Sequence, residues 1–230
     1  MNDQPSSVQS AASLIASTRA YYDARADDYG DESRPDRRTP GLMKAEVIRA
    51  LIDEFRPIGD VIELACGTGY FTSEIVRHAR SVTAVDASPR MLAINRRRLD
   101  DPKVTYVNAD IFAWEPDRAY DAVFFGFWLS HVPPTAFDDF WTLVRTYLAP
   151  DGRVAFVDED DRAAGHDDLC LVSGVPVARR TLSDGREFEI VKVFWRPEDL
   201  ENRLRSSGWD INVRRVGETF MYGVGRRGGA

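Results

Sequence analysis

Three acids placed at or near the ends of apolar runs carry the first chemical signal in this chain. Glu63 lies in Val61–Leu64, Asp86 ends Val82–Asp86, and Asp110 ends Val107–Asp110. Between the first two acids runs Ala65-Cys66-Gly67-Thr68-Gly69, whose small residues let the backbone turn tightly beneath a ligand before a helix starts near Tyr70. In open parallel sheets a flat ligand lies across the carboxyl ends of the strands, where these acids fall. Asp86 is suited to accept both hydroxyls of a ribose in a bidentate fork, and Asp110 to accept from the exocyclic amine of an adenine. Glu63 suits a cationic or amino-bearing group. A dinucleotide site would need glycine at the positions held here by Ala65 and Tyr70, and a tyrosine there argues against a pyrophosphate. The three acids outline an adenosine with a charged amino-acid tail.

A second group follows the fourth apolar run. Gly126-Phe-Trp-Leu-Ser-His-Val-Pro133 stands at another strand end, which brings Phe127, Trp128 and His131 into the same crevice. For Trp128 a core aromatic and a substrate contact both remain open, and for His131 an orienting residue and a general base. Further on, Asp184-Gly185 reads as a hairpin turn between Val175–Leu182 and Arg186–Phe194. Strand alternation sets Arg179 and Arg180 on opposite faces, so one of them can point inward and clamp an anion. Asp158-Glu-Asp-Asp161 invites a metal reading, but such a site needs oxygens converging from more than one segment. The fourth strand supplies no acid after Asp121, so no metal is expected, and these acids read as an exposed strand end or as one substrate-orienting Asp.

At these residues the chain resembles the class I S-adenosylmethionine-dependent methyltransferases. Glu63-Leu-Ala-Cys-Gly-Thr-Gly69 is similar to their first motif, with Ala65 in the first glycine place, and Asp86-Ala-Ser-Pro-Arg-Met-Leu92 to their second. Tyr120-Asp-Ala-Val-Phe-Phe125 and Leu148-Ala-Pro-Asp-Gly-Arg-Val154 resemble the fourth- and fifth-strand motifs, in the expected order. The resemblance implies S-adenosylmethionine as cofactor, held by Tyr22, Glu63, Ala65, Gly67, Gly69, Asp86, Ala87, Met91, Asp110, Ile111 and Phe127. It also implies an N-terminal segment that folds over the cleft, with Tyr22 and Tyr29 as the candidates. Phe124–Pro133 and Thr181–Phe194 further resemble the bacterial phosphonate O-methyltransferases of natural-product biosynthesis, of the dehydrophos type. That likeness implies a small anionic acceptor, with His131, Tyr29, Arg179 and Arg180 as catalytic candidates and Trp128, Tyr29, Arg179 and Arg180 against the substrate.

The elements that must position these residues alternate strand and helix, as in a parallel sheet. Helices are expected at Ala11–Tyr22, Gly41–Phe55, Tyr70–Ala79, Ser88–Leu99, Pro134–Leu148 and Pro197–Ser206, and an antiparallel pair, Trp209–Val216 and Thr219–Val224, closes the chain. The expected architecture is a three-layer, Rossmann-like α/β sheet, mostly parallel with an antiparallel last strand. Residues 1–40 form a tail and helical lid and 41–230 the main domain, with a hairpin insertion at about 162–194.

With 230 residues, 43% hydrophobic, the chain is long enough for one well-buried core. A net charge of −7 at pH 7 argues against nucleic acid as the main partner, as does the absence of an Asn/Asp-Pro-Pro-Tyr motif or a Pro-Cys nucleophile after the fourth strand. Two cysteines, Cys66 and Cys170, give no disulfide framework and suit a reducing cytoplasm. No membrane span or signal peptide is visible. The reading is a cytoplasmic O-methyltransferase of a small acidic molecule, monomeric or homodimeric. Two alternatives stay open: methylation of a neutral or phenolic acceptor with His131 as base, and a non-catalytic cofactor-binding regulator.

Overall fold

The computed structural model describes residues 10–28, 45–116 and 118–229. Helix α1 spans Ala11–Ala24 and α2 Ala45–Phe55; then follow β1 (Asp60–Leu64), α3 (Thr72–Ile75), β2 (Ser81–Asp86), α4 (Pro89–Leu99), β3 (Val104–Asn108), β4 (Tyr120–Gly126), α5 (Phe137–Tyr147) and β5 (Leu148–Glu159). Beyond these come β6 (Leu169–Val172), β7 (Val175–Thr181), β8 (Glu187–Val191), α6 (Pro197–Ser206), β9 (Trp209–Val216) and β10 (Phe220–Arg227). Seven strands form one sheet in the order β3-β2-β1-β4-β5-β10-β9, and β6, β7 and β8 form a second. Strands β1 to β5 pair in parallel, whereas β10 runs antiparallel to both β5 and β9. This is the expected Rossmann-like sheet with an antiparallel edge.

Local sequence explains the helices that flank the sheet. In α4, Ser88 accepts from the Met91 amide as N-cap, Pro89 takes the first turn, and Arg96, Arg97 and Arg98 sit in the last turn against the carbonyl end of the dipole. In α5, Phe137, Phe140, Trp141, Val144 and Tyr147 recur at helical spacing and are all buried. They join Phe125 and Phe156 in the core on one face of the sheet. Phe55, Phe71, Phe124 and Ala155 fill the other face. Helix α1 instead packs on the small sheet, with Leu14 among Val175, Val177, Val191 and Val193, and Tyr21 beside Ala178 and Ile190.

Three expectations are corrected. The helix over Tyr70–Ala79 is confined to Thr72–Ile75, with turns beyond it. The insertion at about 162–194 is more than a hairpin: Asp161–His166 forms a 3₁₀ helix and Leu169–Val172 a strand paired with β7, so the insertion is a three-stranded sheet. Its extra turn is Ser173-Gly174, both at positive φ (51° and 81°), which joins paired Val172 and Val175 in the geometry a two-residue hairpin requires. The Asp158–Asp161 acids are not an exposed strand end either, since Asp158 and Asp160 are fully buried. Their negative charge is met by Lys192, Arg162 and Arg215, side chains far from them in sequence or beyond the strand end. The expected Asp184-Gly185 hairpin is present, with Thr181 opposite Glu187.

Candidate active site

A cleft enclosing about 90 Å³ opens at the carboxyl ends of β1, β2 and β4, where open parallel sheets bind their ligands. Its wall is made by Ala65 and Gly67 from the turn after β1, and by Asp86, Ala87, Ser88 and Met91 from the β2–α4 junction. Asp110, Ile111, Gly126, Phe127, Trp128 and His131 line it beyond β3 and β4, and Thr18, Arg19 and Tyr22 of α1 close it from above. The structure therefore brings together most of the residues singled out from sequence. Tyr29 lies outside the described residues.

The turn is held open by specific contacts. Asp86 accepts from the backbone amides of Gly67 and Ser88, both at 2.8 Å, which fixes its carboxylate beside the turn. Burial pushes the Asp86 carboxyl up, opposed by those two amides. Ala65 and Phe127 have φ of 51° and 54°, in the left-handed region that favours glycine, and both border the cleft. Ala65 thus takes up, with strain, the conformation that the first glycine of the motif allows freely. At Gly69, φ is 87° and an added Cβ would lie 2.3 Å from the buried Asn95 side chain, so this glycine serves close packing behind the turn.

Glu63 is corrected in the same way. It does not line the cleft but is buried behind the turn near the Thr72 hydroxyl, and its Oε2 has no hydrogen-bond partner among the described residues. Burial pushes its carboxyl up to about 8. The folded protein therefore holds this proton where the unfolded chain releases it, and stability falls as pH rises from about 4.5 through about 8. Glu63→Gln removes the titrating group while keeping its shape. The melting temperature of this variant relative to the parent is expected to rise between pH 5 and pH 8 and to level off above that, and a difference that stays constant from pH 5 to pH 8 would contradict it.

At the other end of the cleft, His131 is buried and its tautomer is set by its neighbours. Nδ1 lies 2.6 Å from the Val191 carbonyl and so carries the proton, leaving Nε2 to accept from the Tyr22 hydroxyl at 2.8 Å. Burial lowers the ring to about 3, and the positive charges of Lys192 and Arg180 act in the same direction. Lys192 is itself buried, 3.1 Å from Ser130 Oγ and 2.6 Å from Glu159. Arg180 pairs with Asp167 at 2.6 Å. Neither arginine lines the cleft itself: both border a separate hollow on the small sheet beside Ser17 and Phe188, with Arg179 turned outward, 68% exposed and 3.7 Å from Glu189.

The four acids at the end of β5 are each committed. Asp158 accepts from the Ser130 and Glu159 amides, Glu159 meets Lys192, Asp160 meets Arg162 and Arg215, and Asp161 meets Arg215. Among the described residues no group of three or more His, Cys, Asp or Glu is placed to hold a metal ion.

Helix α1 is fastened across the mouth. Besides Tyr22 on His131, Arg19 pairs with Asp110 at 3.0 Å, Ser88 donates to Asp23 at 2.5 Å, and Arg90 pairs with Asp27. Thr18 accepts from the Val191 amide at 3.0 Å and so ties α1 to the small sheet. Arg19 and Lys192 carry no recognisable sequence signal, because their importance comes from the docking of α1 and β8 onto the main sheet. The lining suits an adenosine-bearing cofactor: Asp86 and Asp110 offer carboxylate acceptors on the cleft wall, and Met91, Ile111, Phe127 and Trp128 offer apolar surface.

Comparisons with known proteins point the same way. A family model described as a methyltransferase domain matches residues 61–152. The structure of a DhpI–SAH complex is 40% identical, with 94% of this chain and 98% of that chain covered and a TM-score of 0.79. A DhpI–SAM–HEP complex is 39% identical, with 97% and 100% covered and a TM-score of 0.77. Polyamine aminopropyltransferase 1 of Streptomyces coelicolor (strain ATCC BAA-471 / A3(2) / M145) is 34% identical over 43% of this chain. Trans-aconitate 2-methyltransferase of Escherichia coli O1:K1 / APEC is 36% identical over 32% of it. The chain spans 22% and 29% of the lengths of these two curated relatives.

Proposed function

The chain belongs to the class I S-adenosylmethionine-dependent methyltransferases, and on that premise we propose that it methylates an oxygen of a small anionic acceptor, a phosphonate or a carboxylate. The observation that carries the acceptor class is at the His131 end of the cleft, where the buried imidazole is neutral, its Nδ1 proton is committed to the Val191 carbonyl, and the charges that act on it are the cations Lys192 and Arg180, each paired with one carboxylate, Glu159 and Asp167. An acceptor that is already ionised needs no base at this end, whereas a phenol or alcohol would need one. Two relatives support the class. One is named for trans-aconitate, itself a carboxylic acid, and the other, DhpI, forms a complex with SAM and HEP.

When bound, the cofactor would supply a methyl carbon on a sulfonium; an acceptor oxygen would attack that carbon in line as the C–S bond breaks and S-adenosylhomocysteine leaves as the thioether. The work left to the chain is alignment and exclusion of water. Asp86 and Asp110 take the adenosine, and Ala65, Gly67 and Phe127 shape the floor beneath it. Tyr22 and His131 orient the acceptor through their shared hydrogen bond, Trp128 covers the site, and Arg180 with Lys192 balances the acceptor's charge. An acidic oxygen is already ionised at neutral pH, so no strong base is required. His131, lowered to about 3, is poorly matched to abstracting a proton from a phenol or alcohol.

With a carboxylate acceptor, kcat/KM is expected to stay flat between pH 6 and pH 8, because His131 remains neutral throughout. A limb near pH 6.5 that disappears in His131→Gln would restore the general-base reading. Among the described residues no helix is long and apolar enough to cross a membrane, and we place the reaction in the cytoplasm, where the two free cysteines stay reduced. The function itself is tested by S-adenosylhomocysteine release in a screen of phosphonates, carboxylates, phenols and amines, run with and without a chelator. Turnover confined to the acids and unaffected by chelation is expected; preference for an amine or a phenol, or restoration by magnesium, would overturn the proposal.

A further inference from the structure

Arg19 lines the cleft from α1, three residues before Tyr22, and reaches across the mouth to Asp110, with Nη1 3.0 Å from Oδ2. Its Nε is buried and has no hydrogen-bond partner among the described residues. A shielded N–H without an acceptor is rare in folded proteins and calls for a partner. A guanidinium carries five donors in one plane, so the contact through Nη1 leaves the Nε–H for a second acceptor in that plane. Asp110 is held in turn, its Oδ1 accepting from the Phe112 amide at 3.1 Å. A donor and an acceptor thus stand side by side at the same part of the cleft wall, one from the main sheet and one from the helix above it.

We propose that Arg19 reads the nucleobase of the cofactor, donating its Nε–H to an acceptor nitrogen of the purine ring while Asp110 accepts from the exocyclic amine. The inference rests on the proposed use of S-adenosylmethionine and adds to it a specificity-determining residue. An adenine shows an amine donor flanked by ring acceptors, which matches the Asp110–Arg19 pair; a base with a carbonyl at that place would turn an acceptor toward the Asp110 carboxylate. Because α1 packs on the small sheet through Leu14 and Thr18, base recognition is divided between two parts of the molecule. Bound adenine would therefore help hold α1 down over the cleft.

Calorimetry with S-adenosylhomocysteine and its 1-deaza, 3-deaza and 7-deaza analogues, on the parent, Arg19→Gln and Arg19→Ala, tests the contact. A charge-assisted hydrogen bond corresponds to roughly 10- to 100-fold in affinity. The parent is expected to lose about that factor with one of the three analogues and little with the other two. Arg19→Ala is expected to bind S-adenosylhomocysteine more weakly by a similar factor and to lose the discrimination, with Arg19→Gln, which keeps a donor, in between. Equal affinities for parent and variants would overturn the proposal. So would a uniform loss across all four ligands, since Arg19 would then act only through the seating of α1. A parent that binds none of the four would remove the cofactor reading itself, an outcome distinct from the other two.

Discussion

Asp86→Ala is expected to weaken S-adenosylmethionine binding by about 100-fold, the equivalent of about 3 kcal/mol, while leaving the protein folded. The carboxylate is pinned by the Gly67 and Ser88 amides, each at 2.8 Å, and keeps lone pairs directed at the cleft. In the proposed binding mode its removal deletes the acceptor for two ribose hydroxyls. It also releases the Gly67 amide, so the turn beneath the ligand loses its brace. Asp86→Asn keeps the shape but turns part of an acceptor into a donor, and an intermediate loss is expected. Calorimetry on both variants, with circular dichroism to verify folding, measures this. Binding by Asp86→Ala as tight as the parent's would contradict the assignment.

The second large effect is expected at Arg180. Arg180→Ala should lower kcat/KM for the preferred acid by about 2–4 kcal/mol in transition-state stabilisation and barely change cofactor affinity. Arg180 is 28% exposed, paired with Asp167, and its charge reaches His131, whereas Arg179 is 68% exposed beside Glu189. Arg179→Ala is therefore expected to keep most activity, and Arg180→Lys to recover part of the loss, since the charge returns without the planar fork. Steady-state kinetics on the three variants separates these outcomes. Equal activity in both alanine variants would remove the charge-balancing role.

How far the sequence speaks depends on whether a residue's role is local. Asp86 and the turn at Ala65–Gly69 were legible because strand, turn and helix follow one another within a few residues, and the cleft forms where that order ends. The parallel sheet was legible for the same reason, from alternating apolar runs and helices. Glu63 reads from sequence as facing the ligand; in the fold it is buried near Thr72 and does not line the cleft, and one residue of alternation decides which. Asp158–Asp161 read as exposed because two of their partners, Lys192 beside β8 and Arg215 in β9, meet them only once those strands have assembled around the end of β5. Ser173-Gly174 is a weaker turn signal than Asp184-Gly185, so the extra strand of the small sheet went unseen. Arg19 stands in an ordinary amphipathic helix, and nothing in its spacing distinguishes it from a solvated residue. Only the docking of α1 brings it to Asp110.

The most direct measurement follows the methyl group itself. With S-adenosylmethionine carrying a ¹³C-labelled methyl group and a small phosphonate acceptor, NMR of the reaction is predicted to show a new methyl resonance coupled to phosphorus, appearing together with S-adenosylhomocysteine and depending on Arg180. Label appearing on a nitrogen or on a neutral or phenolic oxygen in a mixed-acceptor reaction, with none on an acidic oxygen, would contradict the account.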